Sequence, residues 1–500
     1  MSTQTIPPAP ADAGSPANAT ASASYPESAM YIDGRWTQGS GSRREPVLNP
    51  ATGEVLGQVP LAEATDLDAA TAAAERGFAL WRHLPVERRT AILRRAADLL
   101  RARAGEIGRV MTQEEGKPYG EATGEVTRVA TLLDWDAEEG RRAYGRIIPT
   151  GPGETLTVTR APVGPVAAFT PWNFPAGGPM RKIAAALAAG CSIVIKASEE
   201  TPGTANLLVR AFEEAGLPAG VLNLVFGVPS EVSERLIASP VIRFVAFTGS
   251  IPVGKHLAGL AAAVMKPTIM ELGGHAPVIV CADVDPVEAA RSCVRGKFVN
   301  AGQVCTSPSR FYVHESHHDA FVDAFVEAAE AVRVGNGLEP GVQMGPLANP
   351  RRRAAVHALV EDARARGARV LTGGEVPDGA GFFYPPTVLV DVPEDAVMLR
   401  DEPFGPVAPI MTFADLDEAI GRANALPYGL AAYGFTHRAD VAAKLTGAFE
   451  AGILSINHVG GSVPQAPSGG LKESGHGREG GSEGLEGYLV TKRVSHRMQI

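Results

Sequence analysis

Residues 163–197 read VGPVAAFTPWNFPAGGPMRKIAAALAAGCSIVIKA. Two short, almost wholly apolar runs, VGPVAAF (163–169) and SIVIKA (192–197), flank an Ala-rich stretch that stops at Gly190. Strands apolar on both faces and joined by one helix suit a parallel sheet covered on both sides. A glycine at the helix end fits a left-handed cap, which needs no Cβ. The stretch predicts strand, helix, strand.

Outward from it the alternation continues. VLNLVF (221–226) and RFVAF (243–247) read as strands, and TPGTANLLVRAFEEAG (201–216) as a helix. Towards the amino terminus, 31–60 reads as short strands and turns. Ala and Leu recur at helical spacing over 64–115, Gly116-Lys117-Pro118 interrupts, and another helix is expected over about 119–143. A second alternating series runs from Asp285 to about 457, followed by a Gly-rich loop (460–481) and a strand-like tail. Five hundred residues exceed one hydrophobic core. The expectation is an α/β chain with two doubly wound parallel-sheet domains.

Composition narrows the function classes. Hydrophobic residues at 45% and charged residues at 20% describe an ordinary globular chain, and a net charge of −9 argues against nucleic acid as a main partner. Arg351-Arg352-Arg353 lacks interleaved aromatics and reads as a solvated helix face. The four cysteines, Cys191, Cys281, Cys293 and Cys305, form no C-x-x-C pair, so neither a disulfide framework nor a metal site is expected, and the thiols suit a reducing cytoplasm. No stretch reaches the roughly 18 consecutive apolar residues of a membrane span. Residues 1–28, rich in Ala, Ser, Pro and Thr, lack the charged start and apolar core of a signal peptide and are expected to be a disordered tail.

Four stretches could carry chemistry. Cys305 follows a helix read over 285–299 and broken by Gly302; a loop thiol among small residues is either a nucleophile or a space-filling core group. TPWNFPAGG (170–178) begins where a strand ends, the position at which open α/β sheets hold ligands, so Asn173 is either a turn residue or an oxyanion donor. Glu271 of MELGG is either paired to the backbone or a general base. FTGSIPVGK (247–255) nearly spells a P-loop, but His256 stands at the Ser/Thr position, and a dinucleotide pyrophosphate fits such a turn as well.

Taken together, GQVC (302–305), MELGG (270–274), PWNFP (171–175), FTGS…VGK (247–255), EPFGPV (402–407) and SGHGREGG (474–481) resemble the NAD(P)-dependent aldehyde dehydrogenase superfamily, in order and spacing, over about residues 30–495. The resemblance implies that Cys305 attacks the aldehyde, that Asn173 and the Cys305 N–H hold the oxyanion, and that Glu271 activates the hydrolytic water. Lys182 and Glu479 match positions of proton relay and structural support. For the cofactor it implies Lys196, Ser198 and Glu199 around the adenosine ribose, Gly249, Ser250 and Gly254 at the pyrophosphate, and Glu402 and Phe404 at the nicotinamide ribose. Thr170, Pro171, Trp172, Phe247 and Leu272 are further implied contacts. Glu199 favours NAD over NADP, although the small Ser198 leaves NADP possible.

The same resemblance implies an NAD-binding domain (29–143 and 163–282), a catalytic domain (283–470) and an oligomerisation element (144–162 and 484–497). A homodimer or homotetramer is then expected, because GLEGYLVTK leaves a sheet edge open. Among relatives the chain looks most like bacterial succinate-semialdehyde enzymes. Arg181 matches an arginine that can pair with a substrate carboxylate, or it is a solvated helix residue. A second arginine of that group is replaced by Val299, which leaves room for an apolar or aromatic aldehyde. Phe174, Val304, Thr306 and Ser462 are the other substrate candidates. A CoA-acylating enzyme is disfavoured by Glu271, a P-loop NTPase by His256, and a catalytically silent homologue by the filled catalytic positions.

Overall fold

The structure, a computed structural model, describes residues 25–460 and 462–498. Its largest sheet has eight strands, and the five in the middle run parallel. In space these are Thr268–Leu272, Phe244–Gly249, Val166–Phe169, Ile193–Lys196 and Leu222–Val225. Chain order therefore reverses direction between Val166–Phe169 and Phe244–Gly249. The crevice beyond their carboxyl ends is the topological switch point where such sheets take ligands.

The opening stretch folds as expected, with shorter ends. Its first strand begins only at Val166, because Gly164 has a φ of +136° and Pro165 has no N–H to give a ladder. The helix Gly177–Ala189 ends on Gly190 with a φ of +96°, the left-handed cap inferred from composition. Lys182 lies on that helix's buried side, so the helix buries a charge as well as its alanines.

A second sheet of seven strands, Arg369–Thr372, Thr387–Val390, Val407–Phe413, Pro308–His314, Ala276–Val280, Ala431–Phe435 and Ile453–Ile456 in spatial order, holds its own core. A third sheet joins Leu489–Arg497, Glu154–Pro162 and Arg146–Ile148.

Three expected boundaries move. Ala276–Val280 pairs with Pro308–His314 and Ala431–Phe435, so the second sheet starts near 276 and not after 282. The expected strand over 484–497 starts at Leu489, because Gly481–Glu486 is helical. Of the expected tail over 1–28, residues 1–24 lie outside the described residues. Residues 25–28 are packed: Tyr25 Oη donates to Glu114, and Ser28 is buried.

Candidate active site

Cys305 sits in the loop between the helix Pro286–Lys297 and the strand Pro308–His314 of the second sheet. Asn173 lies just past the strand Val166–Phe169, and Glu271 within Thr268–Leu272, both of the first sheet. Residues from two sheets thus converge on one crevice. Asn173 Nδ2 donates to the Gln303 main-chain oxygen at 3.0 Å, which ties the amide to the cysteine loop. A Cβ on Gly274 would fall 2.5 Å from the Cys305 carbonyl oxygen, so the Gly-Gly step after Glu271 lets the two segments touch. Asn300, Ala301 and Gly302 all have positive φ (49°, 52° and 73°), a left-handed run that turns the chain sharply before the cysteine.

The electrostatics favour a protonated thiol beside a carboxyl that is itself raised. Burial, then the neighbouring Glu271 carboxylate, hold the Cys305 thiol well above its ordinary range. Burial also raises Glu271, and Glu479 adds to it, while Lys182 and the contact with Cys305 act the other way. A carboxyl raised in this way is suited to take a proton from the thiol or from water. Lys182, wholly buried, donates to Thr248 Oγ1 and to Glu479 Oε1, each at 2.6 Å. Thr248 is the registered partner of Glu271 across the parallel ladder, so the lysine stands one strand away from the base.

Most candidate cofactor residues lie at or just past the carboxyl ends of the same parallel strands, while Glu402 and Phe404 come from the segment before Val407–Phe413 of the second sheet. Lys196 Nζ donates to Glu199 Oε2 at 2.6 Å, and Glu199 Oε1 accepts from the Gly227 N–H at 2.9 Å. Ser198 is buried beside them. Phe247 and Gly249 belong to the strand that leads through Ser250 into the helix Ile251–Ala263. Ser250 makes no side-chain cap bond there; Pro252 has no N–H and the Gly254 N–H donates to the Ser250 main-chain oxygen, so the N–H groups of Ile251 and Val253 are the ones placed to meet an anion. Gly254 permits close packing: a Cβ would come 2.4 Å from Leu272 Cδ2. Trp172 and Phe404 meet edge to face at 5.7 Å, and Glu402 accepts from the Gly274 N–H at 3.2 Å. Burial pushes Glu402 up to about 8. Thr170, next to Pro171, has a buried hydroxyl with no partner. An orphan hydroxyl, a lysine–carboxylate pair at a strand end and a glycine-lined helix start together fit a dinucleotide.

On the substrate side, Arg181 Nη2 donates to Ser462 Oγ at 2.6 Å. Phe174, Val304 and Thr306 are half-buried around the crevice, and the Thr306 carbonyl accepts from Tyr433 Oη at 2.7 Å. Val299 is 39% exposed and lines a groove of about 360 Å³ with Phe298, Val294, Arg295 and Glu121, a lining that includes none of Cys305, Asn173 and Glu271, so the structure does not bring Val299 to the crevice with them. Lys255 of the near P-loop pairs on the surface with Glu473 at 2.7 Å.

Several residues of the site had no sequence signal of their own. Thr248 and Gln303 acquire roles only through the partners named above. Lys297, fully buried and pushed down to about 7 by burial, donates to Ser307 Oγ at 3.3 Å, two residues past the cysteine. The arginine triplet is not simply a solvated face, because Arg352 has a buried, unpartnered Nε and its charge bears on Glu402.

Comparison with known proteins agrees with this geometry. The Aldehyde dehydrogenase family profile matches residues 36–494. The chain is 48% identical to 4-(hydroxymethyl)benzenesulfonate dehydrogenase of Comamonas testosteroni over 93% of its length and 97% of the relative's. It is 40% identical to the NADP(+) succinate-semialdehyde dehydrogenase of Escherichia coli, over 92% and 96%. The crystal structure of succinate-semialdehyde dehydrogenase from Burkholderia pseudomallei superposes with a TM-score of 0.93 at 39% identity, covering 96% of this chain and 99% of that one. The match runs over nearly the whole length of both this chain and its relatives, and the chain belongs to the aldehyde dehydrogenase family.

Proposed function

We propose that this enzyme oxidises a semialdehyde, an aldehyde with an anionic group at its far end. Oxidation of an aldehyde to its carboxylate with NAD or NADP is the reaction of the family to which it belongs. The observation that carries the substrate reading is the Arg181–Ser462 link: a guanidinium and a hydroxyl held 2.6 Å apart beside the crevice form a ready anchor for a carboxylate. A second reading, an aldehyde with an aromatic or aliphatic body, rests on Val299 standing where the resemblance expects a second arginine. A panel of succinate semialdehyde and neutral aliphatic and aromatic aldehydes, each assayed with NAD and with NADP, separates the two. A kcat/KM highest for neutral aldehydes overturns the semialdehyde reading.

In this reading Cys305 gives its proton to Glu271 and attacks the carbonyl, and the charge that develops on the substrate oxygen is held by the Asn173 amide and the Cys305 N–H. Lys196 and Glu199 would hold the adenosine ribose, Ser250 with Gly249 and Gly254 the pyrophosphate, and Glu402 and Phe404 the nicotinamide half. The chemistry that bound NAD(P) supplies there is hydride acceptance. Cys305 then carries the acyl group as a thioester, and Glu271 takes a proton from the water that hydrolyses it. Lys182 and Glu479 relay that proton away. Glu199 favours NAD, since a carboxylate repels a 2′-phosphate.

A homodimer or homotetramer completes the proposal. Leu489–Arg497 has one strand partner and an open edge, Ile147 is 80% exposed, and the helix Ile251–Ala263 ends in a bare Val264 and an 89% exposed Met265. Such apolar surface is costly in water and marks a partner's place. Sedimentation giving a monomer at micromolar concentration would refute it. Among the described residues no helix is long and apolar enough to cross a membrane. Four cysteines without a disulfide fit a reducing cytoplasm.

A further inference from the structure

A buried ion pair stands behind the Asn173 loop and takes no part in the steps above. Lys117 occupies the break between the helices Ala104–Glu115 and Tyr119–Arg141 and is 2% exposed. Its Nζ donates to Glu125 Oε2 at 2.7 Å and to the Asn173 main-chain oxygen at 2.8 Å, and it lies 4.4 Å from the centre of the Phe174 ring. Glu125 Oε1 in turn accepts from the N–H groups of Ala176 and Gly177, at 2.9 and 2.8 Å. The pair therefore grips the loop at Asn173 and again three residues later.

The same oxygen is held from the other side. Asn300 Nδ2 donates to it at 2.9 Å, and the Asn300 N–H donates to Glu121 Oε2 at 3.0 Å, one helical turn before Glu125. Both lone pairs of the Asn173 carbonyl are thus engaged, one by the helical segment and one by the loop that carries Cys305. Two segments from different sheets are braced against a third element. Stability alone is a poor reason for such a device, because a buried ion pair roughly breaks even against apolar packing. Charge-assisted hydrogen bonds are, however, short and directional, and so they fix geometry. Geometry is what an oxyanion donor requires, since a misplacement of about 1 Å can cost about 100-fold in rate.

We propose that Lys117, oriented by Glu125, is a positioning residue that sets the Asn173 amide against Cys305 for transition-state oxyanion binding. The proposal rests on the reading of Asn173 as oxyanion donor and Cys305 as nucleophile.

The test is a double-mutant cycle on the full chain, with the best aldehyde of the panel. Lys117→Met alone takes the cation from two buried carboxylates, Glu125 and Glu115, the latter 3.9 Å away, so Lys117→Met/Glu125→Gln, which removes the closer ion pair at similar volume, is measured beside it. The expected result is a fall in kcat of about 10- to 100-fold, with KM and the NAD dissociation constant within about threefold. In an Asn173→Ala background the same pair of changes should cost less than about twofold in kcat, while lowering Tm by the same amount as in the parent. Equal fold-losses in both backgrounds, or a loss confined to KM, overturn the proposal. If Asn173→Ala alone leaves kcat intact, the underlying reading of the site fails first, and that outcome is distinct from additivity.

Discussion

Asn173 Nδ2 lies 3.0 Å from the main-chain oxygen of Gln303, two residues before Cys305. One N–H of the amide is spent on the loop that carries Cys305, and in the proposed mechanism the second meets the substrate oxygen. The bond fixes the donor relative to the thiol before any substrate arrives, which is the condition for electrostatic preorganisation.

Asn173→Ala should therefore lower kcat by about 100- to 1,000-fold, the usual cost of one oxyanion donor. Cofactor affinity measured by fluorescence titration should change less than about threefold. Cys305→Ala should abolish NADH formation with the same affinity retained. Turnover surviving in the cysteine variant would sink the covalent mechanism.

Glu271→Gln separates two effects of one carboxylate. Its charge and its contact with the thiol both raise Cys305, so removing them should move the pH midpoint of Cys305 alkylation by iodoacetamide to lower pH. Steady-state turnover should nevertheless fall by about 100- to 10,000-fold, because thioester hydrolysis loses its base. An alkylation midpoint that stays put or rises contradicts the assigned contact.

For the substrate anchor, Arg181→Ala should raise KM for succinate semialdehyde about 10- to 100-fold, as expected from losing a charged hydrogen bond of about 1.5–3 kcal/mol. A neutral aldehyde of the same length should be affected by less than about threefold. Equal effects on both aldehydes would mean that Arg181 supports the loop and not the substrate.

Asp136 offers a test of stability. Burial, with the nearby Glu139 and Glu479 and against the charge of Arg181, pushes its carboxyl up to about 8, and Oδ1 has no hydrogen-bond partner. The folded protein then keeps a proton here that the unfolded chain loses near the ordinary aspartate value of 3.8. Folding binds more protons in that window, so this residue's contribution falls as pH rises from about 4 to about 8 and is level above. Asp136→Asn should remove that fall. The gain in unfolding free energy over the parent, measured by denaturant titration, should grow across the window and reach the order of a few kcal/mol at its upper end. A gain that does not vary with pH would show that the carboxyl is ionised in the fold.

Periodicity and punctuation carried the architecture. Apolar runs flanking an Ala-rich stretch that stops at Gly190 describe a parallel βαβ unit, because a strand covered on both faces has no reason to alternate. Cys305, Asn173 and Glu271 could be singled out in the chain but not assigned by local pattern, which left each with a structural alternative; their proposed roles come from the family resemblance, and the fold adds that the Asn173 amide meets the cysteine loop. Boundaries were less legible: Ala276–Val280 is as apolar as the strands before it, and only its hydrogen-bond partners assign it to the second sheet. Lys117 marks the limit of local reading. In the chain it is a charge in the Gly-Lys-Pro break between two helices, where solvent would be its ordinary environment. Fifty-six residues later the main chain turns at Asn173, and the fold closes the distance to 2.8 Å. Chemistry that depends on residue type was written in the sequence. Chemistry that depends on which distant backbone atom fills a buried ammonium's shell was decided only by tertiary packing, because the cost of burying that charge is met by partners no local pattern names.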